Sequence, residues 1–210
     1  MRFLDTLWRF VALNFVFLIT CIPLVTIGPS VAALMSTLFA YNDKEDIPLV
    51  REYFKRWKRE WKYALFSWLI FVAVGLIIAF SLAFWLQMTT IPAVASYIIL
   101  AILVFFAIYL VLVIEWFYPI QARFDNTWKR LWGISLKIGW VQIGASLALL
   151  AIDIAAVALA YFSHFFLVLF LIFGLAWIAY AKTLILLPAF NRVEHPEQNA
   201  GKPYINARDA

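Results

Sequence analysis

Four long apolar runs constrain this chain more than any other feature of its sequence. They cover residues 63–86, 94–116, 138–162 and 165–187, and each is long enough for a helix to cross the roughly 30 Å hydrocarbon core of a bilayer. The whole chain of 210 residues is 66% hydrophobic and 14% charged, whereas a soluble domain is about 25% charged. The sequence therefore predicts an all-α polytopic membrane protein with a single membrane domain over 1–210, and it excludes a soluble enzyme.

A fifth apolar tract precedes these runs and contains helix breakers in its middle. It extends from about residue 4 to residue 41, and Pro23, Gly28 and Pro29 interrupt it. Proline removes a hydrogen bond from a helix interior but suits a helix start, so the pattern predicts helices over 4–25 and 29–41. The second of these is only about 20 Å long. We expect six transmembrane helices, with five helices and a re-entrant segment as the alternative.

The positive charges predict the orientation of these helices. Of the 17 Lys and Arg residues, seven lie in 42–62 and four in 117–137, while the linkers 87–93 and 163–164 contain none. Cytoplasmic loops carry the excess of Lys and Arg in membrane proteins. Both termini, the polar tail 188–210 and the two amphipathic connectors 47–62 and 119–137 are therefore expected in the cytoplasm. The net charge of +5 is then explained by cytoplasmic loops that lie beside anionic lipid, and we expect no nucleic-acid partner.

The two connectors share a short sequence that indicates a repeat. The pentapeptide WKREW at 57–61 returns as WKRLW at 128–132, and the pattern Pro-x-x-x-Arg at 119–123 returns at 188–192. These offsets of 71 and 69 residues fit three tandem hairpin units in a chain of 210. Chance is the alternative, because Trp and basic residues are common at membrane interfaces.

Aromatic residues in the first connector recur at helical spacing with basic residues between them, a pattern typical of an amphipathic helix in the headgroup layer. The alternative is a docking surface for a partner protein. This candidate interface, called the connector surface, comprises Phe54, Trp57, Lys58, Arg59, Trp61, Trp128, Lys129, Arg130 and Trp132.

Small residues mark positions where helices in lipid approach closely. Gly75, Ala79 and Ala83 are four residues apart in the third predicted helix, and Gly144 and Ala148 have the same spacing in the fifth. These candidate packing faces serve either the chain's own bundle or a partner subunit.

Asp153 is the ionisable residue predicted to lie deepest in the membrane. Its depth, counted from residue 138, differs by about 14 Å from that of Lys182, counted from residue 187, so we expect no direct salt bridge between them. Asn14, in the middle of the first helix, or a tyrosine hydroxyl is the better candidate partner. Asp153 and Asn14 form the candidate intramembrane polar site. We interpret it as a buried hydrogen bond between helices or as a carboxylate at the outer interface that water reaches; the alternative is a proton or cation site.

Catalytic motifs are absent from the sequence. It contains no His-x-x-x-His pair, Gly-x-Ser-x-Gly elbow, Walker-type loop or paired-carboxylate site. The single cysteine, Cys21, allows neither an internal disulfide nor a cysteine metal cluster. We therefore predict a non-enzymatic protein with no catalytic residue, no cofactor and no metal ligand.

The segment around the breakers resembles a known family. Leu-Asn-Phe at 13–15, Ile-Pro-Leu-Val-Thr-Ile-Gly-Pro at 22–29 and Ala-Ala-Leu at 32–34 are similar to the YesL-like family, bacterial integral membrane proteins with a domain of unknown function. The two connectors resemble that family too. The resemblance implies a bacterial plasma membrane and, because such proteins are encoded among genes for oligosaccharide import, a role in carbohydrate uptake. It assigns no catalytic or binding residue.

The leading hypothesis is a non-enzymatic accessory subunit of an ABC-type oligosaccharide importer, with sugar permease subunits as partners within the lipid bilayer. Such permeases bind their ATPase through a motif of Glu-Ala-Ala followed by a spaced Gly. This motif is missing from the sequence, so the chain is not expected to be a permease itself. The alternatives are an independent small transporter or channel that uses Asp153 and the Pro23–Pro29 break, a membrane scaffold or assembly factor, and a homo-oligomer.

Overall fold

The structure is a computed structural model that describes residues 2–43, 47–87, 93–124 and 127–194. Within those ranges the secondary structure is helical and contains no strand, which confirms the all-α prediction. A 3₁₀ turn, Leu24–Thr26, precedes the second helix, and a π-helical turn, Phe170–Gly174, joins the last two. The helices are α1 (Arg2–Cys21), α2 (Ile27–Asp43), α3 (Leu49–Gln87), α4 (Ala93–Arg123), α5 (Trp128–Val141), α6 (Ile143–Phe162), α7 (His164–Leu169) and α8 (Leu175–Glu194).

Five helical segments among the described residues are long and apolar enough to cross a membrane, as expected of a membrane-embedded protein. They are Leu24–Asp43, Leu49–Gln87, Val94–Arg123, Ile143–Phe162 and Phe170–Phe190. The first helix contributes a shorter apolar stretch, Thr6–Cys21. Six crossings, the repeat and the orientation of the termini stay predictions.

The break in the first apolar tract lies earlier than predicted. The first helix ends at Cys21 instead of residue 25, and Pro23 is extended, with φ −72° and ψ 113°. The second helix begins at Ile27 and takes Gly28 and Pro29 into its first turn. Proline is tolerated there because the first N–H groups of a helix have no partner within it.

The first connector is not a separate element. Residues 49–62 are the beginning of α3, which continues without interruption for 39 residues. At 1.5 Å per residue this helix is about 58 Å long, about twice the thickness of the hydrocarbon core. Its basic first part therefore extends out of the membrane while its apolar second part crosses it.

The second connector is divided between two helices. The fourth helix passes through Pro119 and ends at Arg123, and α5 begins at Trp128. The predicted span 138–162 is broken at Gln142, whose φ of −108° and ψ of 50° are not helical. Ser146 holds the two sides of this break together, because its Oγ donates to the Gly139 carbonyl at 2.9 Å and accepts from Trp116 Nε1 at 2.9 Å.

The second helix, predicted as a marginal span, is the centre of the molecule. It contacts α1, α3, α4 and α8, and 11 of its 17 residues are buried. A Cβ at Gly28 would lie 2.5 Å from Trp68 Cβ and 2.7 Å from the Ala64 carbonyl oxygen. The small residues of α2 therefore allow its neighbours to approach closely, as is usual for helix contacts in lipid.

Candidate functional site

Three ionisable side chains from three helices meet in an ion-pair triad. Glu115 comes from α4, Asp153 from α6 and Lys182 from α8. Lys182 Nζ donates to the two carboxylate oxygens of Glu115 at 2.8 and 2.9 Å, and it lies 2.6 Å from Asp153 Oδ1. The triad connects three helices that are distant in sequence.

The prediction that Asp153 and Lys182 do not pair is wrong. It measured their depths from residues 138 and 187, but α6 begins at Ile143 and α8 continues to Glu194. Counted from those ends, Asp153 lies about 15 Å and Lys182 about 18 Å along its helix. A lysine side chain easily spans the remaining difference, so the error lay in the helix boundaries.

Burial makes the triad energetically important. The exposed fractions are 9% for the Lys182 side chain, 16% for Glu115 and 32% for Asp153. The Lys182 side chain is therefore enclosed within the bundle and paired with both carboxylates. Two carboxylates around one ammonium carry a formal charge of −1, so the group can take up a proton or a cation, or it can act as a structural clamp. Among the described residues, no cluster of three or more His, Cys, Asp or Glu suits a metal ion.

The structure places Asn14 away from Asp153. The Asn14 side chain is fully buried; its Nδ2 donates to the Leu171 carbonyl at 2.8 Å, and its Oδ1 accepts from the Ala176 N–H at 3.0 Å. Both backbone groups lie at the π-helical turn, where the change of hydrogen-bond spacing frees groups that lipid cannot satisfy. The Asn14 side chain satisfies them. The two residues of the predicted polar site are therefore apart: Asn14 bonds the π-helical turn, and Asp153 belongs to the triad.

Side chains also satisfy the backbone at the Pro23–Pro29 break. Trp68 Nε1 donates to the Leu24 carbonyl at 2.8 Å. The Thr20 carbonyl accepts from Thr26 Oγ1 at 2.6 Å and from Ser30 Oγ at 3.1 Å. These bonds connect the break to α1 and α3, while residues 22–25 of the turn are themselves exposed.

The connector surface separates into four packed tryptophans and an exposed set made of Phe54 and the four basic residues. Trp57 and Trp128 each donate to a serine, Ser30 at 3.4 Å and Ser67 at 3.0 Å. Trp61 packs on Trp57 with ring centroids 4.3 Å apart, and Trp132 packs 4.8 Å from Phe71. Exposed members of the surface are Phe54, Lys58, Arg59, Lys129 and Arg130.

Most residues of the candidate packing faces are not buried within the described part of the chain's own bundle. Ala79, Ala83 and Gly144 are exposed, and Ala148 is half-buried. Apart from its chain neighbours and its own helix backbone, no described atom lies within 4 Å of a Cβ built at Gly144, whereas one at Gly75 would meet Leu110 at 3.7 Å. Gly75 of α3 therefore packs against α4 as a helix-packing position of the kind predicted.

Residues 10–82 match a family model described as protein of unknown function, DUF624. This family is the YesL-like family. The predicted resemblance is confirmed over that segment. The DUF624 segment contains Asn14, the Pro23–Pro29 break and most of α3, while the three triad residues lie beyond it. No curated protein and no solved structure matches the chain.

Sequence reasoning missed Glu115 as a site residue. It was placed at the end of the span 94–116, but α4 continues to Arg123, so Glu115 lies about 12 Å inside the helix. The available signal was a lone carboxylate in the apolar run before Trp116.

Proposed function

We propose that this chain is a non-enzymatic accessory subunit that assembles with another integral membrane protein in the bacterial plasma membrane, with both termini in the cytoplasm. The partner we expect is a permease of an ABC-type oligosaccharide importer. The proposal concerns assembly within the membrane and assigns no chemical reaction to the chain.

One observation carries the assembly proposal. The exposed small residues Ala79, Ala83 and Gly144 leave shallow strips on helices that otherwise present large apolar side chains such as Leu76, Phe80 and Leu147. Small residues in membrane helices favour close contact with another helix, and the described part of the chain supplies no such helix at Gly144. A partner helix is the occupant that fits this surface.

The expectation of a sugar importer rests on the family. Residues 10–82 match the DUF624 family, and the resemblance to YesL-like proteins implies an association with carbohydrate uptake. Exposed Lys58, Lys129 and Arg130 add a positive surface that suits acidic groups of a partner at the membrane surface.

Affinity purification in mild detergent tests the proposal. The tagged chain is purified from the membranes of its source organism, and we expect permease and ATPase subunits of a sugar importer to co-purify. Gly144→Leu should reduce their recovery because the added side chain blocks the strip, and the open space around Gly144 lets the chain itself fold. Val157→Phe is the matched control: it adds bulk at an exposed position on another side of α6.

The outcomes separate assembly from other roles. Partner recovery that survives Gly144→Leu would argue against this face as the contact. Recovery of a pure homo-oligomer from source membranes would contradict the accessory role itself.

The triad favours a second candidate, a small transporter. A charge of −1 within a helix bundle suits coupling to a proton or a cation. This role predicts substrate flux in liposomes that contain the purified chain alone, and it predicts that Asp153→Asn abolishes this flux. Asp43→Asn is the control, since Asp43 pairs with Arg123 outside the triad. Flux that Asp153→Asn leaves unchanged would remove the triad from transport.

A further inference from the structure

A second polar site lies where three helices end together, outside the triad. A cavity of about 540 Å³ opens between α2, α3 and α4, a size within the range of small-molecule sites. Its polar lining consists of Ser36, Asp43, Glu52 and four cationic residues: Lys55, Arg56, Arg59 and Arg123. This cavity, called the basic pocket, lies on the part of α3 that extends out of the hydrocarbon core.

The basic pocket has an excess of positive charge. Four cations face two carboxylates in its lining. Glu60, from outside the lining, pairs with Arg59 at 2.9 Å and lowers the local excess from two charges to one. Of the pairs within the lining, the two to the Glu52 carboxylate are long, with Lys55 Nζ at 3.7 Å and Arg56 Nε at 3.5 Å, whereas Arg123 pairs with Asp43 at 3.2 Å. An excess of cations with incomplete pairing favours an anion.

The Arg56 side chain is held in position on one side of the basic pocket. It is 21% exposed, and its Nη1 donates to Ser36 Oγ at 2.7 Å. The buried Nε has no hydrogen-bond partner among the described residues. On the opposite side, Arg123 is held by Asp43 at 3.2 Å and lies over the Phe39 ring at 5.8 Å. Two positioned guanidinium groups are the arrangement that proteins use to bind phosphate oxygens.

We propose that the basic pocket binds a phosphate group, carried either by an anionic lipid headgroup or by a soluble phosphate. Arg56 and Arg123 provide the positioned donors, and the more exposed Lys55 and Arg59 add positive charge. The position at the polar end of a membrane-crossing helix is accessible to both sources of phosphate. This site is independent of the proposed partner and of the triad.

Two binding measurements on the purified full-length chain in a neutral detergent test the proposal. Inorganic phosphate is titrated by calorimetry, and retention of phosphatidylglycerol is compared with retention of phosphatidylcholine by native mass spectrometry. Preference for phosphatidylglycerol without phosphate binding identifies a lipid headgroup, and phosphate binding that displaces phosphatidylglycerol identifies a soluble phosphate. Binding of neither ligand overturns the proposal.

Charge-matched double variants on the same helix separate the pocket from general surface charge. Lys55→Gln with Arg59→Gln should weaken binding by about tenfold or more, as expected for lost charged hydrogen bonds. Lys58→Gln with Lys62→Gln removes the same charge from exposed residues outside the lining and should leave affinity unchanged. Equal losses in both double variants would overturn the proposal. Arg56→Gln adds a test inside the pocket, with elution volume and thermal stability as the check on folding.

Discussion

At the scale of single residues, this chain depends on side chains that satisfy charges or backbone groups that lipid cannot satisfy. Lys182 lies between two carboxylates, and Asn14 bonds two backbone groups at the π-helical turn. Ser146 bonds the Gly139 carbonyl across the break at Gln142. Each of these residues connects segments that are far apart in sequence or differ in helical geometry. Such contacts are costly to break, because the abandoned group stays buried.

Loss of the Lys182 charge should strongly destabilise the chain, and removal of the two partner charges as well should restore most of the stability. Lys182→Met leaves the mostly buried Glu115 carboxylate and the half-buried Asp153 carboxylate without a counter-charge and should lower the free energy of unfolding by about 3 kcal/mol, the lower end of the cost of breaking a buried ion pair. A triple variant with Lys182→Met, Glu115→Gln and Asp153→Asn removes all three charges and should recover most of this loss. Denaturation in mixed micelles measures both. A triple variant as unstable as Lys182→Met would show that charge pairing is not what holds the three helices.

Gly28 predicts a steric effect at the crossing of α2 and α3. Gly28→Ala places a Cβ 2.5 Å from Trp68 Cβ and should destabilise the chain by about 1–3 kcal/mol. Gly133→Ala is the matched control, since no described atom lies within 4 Å of its added Cβ, and alanine favours a helix interior by up to about 1 kcal/mol. Equal thermal stabilities for the two variants would contradict the close approach.

At the scale of elements, helix ends decide which residues meet. The third helix is longer than a membrane crossing requires, so the polar ends of α2, α3 and α4 lie together and form the basic pocket. The break at Gln142 and the extension of α8 to Glu194 bring Asp153 and Lys182 into register. Helix interiors follow from the apolar pattern, but these ends depend on packing against neighbours.

The π-helical turn should depend on Asn14. Asn14→Leu removes the acceptor of the Ala176 N–H and the donor to the Leu171 carbonyl, so amide hydrogen exchange across 170–176 should accelerate about tenfold or more, in line with the loss of a buried hydrogen bond. Asn42→Ala is the control, because Asn42 bonds α8 at Thr183, outside the turn. Unchanged exchange in Asn14→Leu would mean that the turn is held by other contacts.

At the scale of the whole molecule, the buried centre is α2 and the apolar outer surface belongs mainly to α3, α4 and α6. The second part of α3 and the first part of α4 carry broad exposed apolar faces, as lipid or a partner helix requires, and the two helices contact each other. The charged ends of the same helices carry the ion pairs Arg123–Asp43 and Arg59–Glu60. This distribution of charge predicts that the charged ends of these helices lie on the same, cytoplasmic side of the membrane.

Cysteine labelling tests that sidedness. In a Cys21→Ser background, Lys58→Cys and Lys129→Cys should react with a membrane-impermeant maleimide in inverted vesicles and not in intact cells, because basic segments stay in the cytoplasm. Ser163→Cys, at the turn between α6 and α7, should show the reverse pattern. Labelling of Lys58→Cys and Lys129→Cys from opposite sides would contradict the predicted topology.

The sequence by itself determined the environment, the all-helical class and the resemblance of residues 10–82 to the DUF624 family. These properties are local, because a helix in lipid satisfies its own backbone and needs only a long apolar run. Only the tertiary structure decided that α2 is the core, that Asn14 serves the π-helical turn, and that Lys182 joins Glu115 to Asp153. Those pairings depend on where each helix ends and how it crosses its neighbours, and neither is contained in the apolar pattern of a single segment.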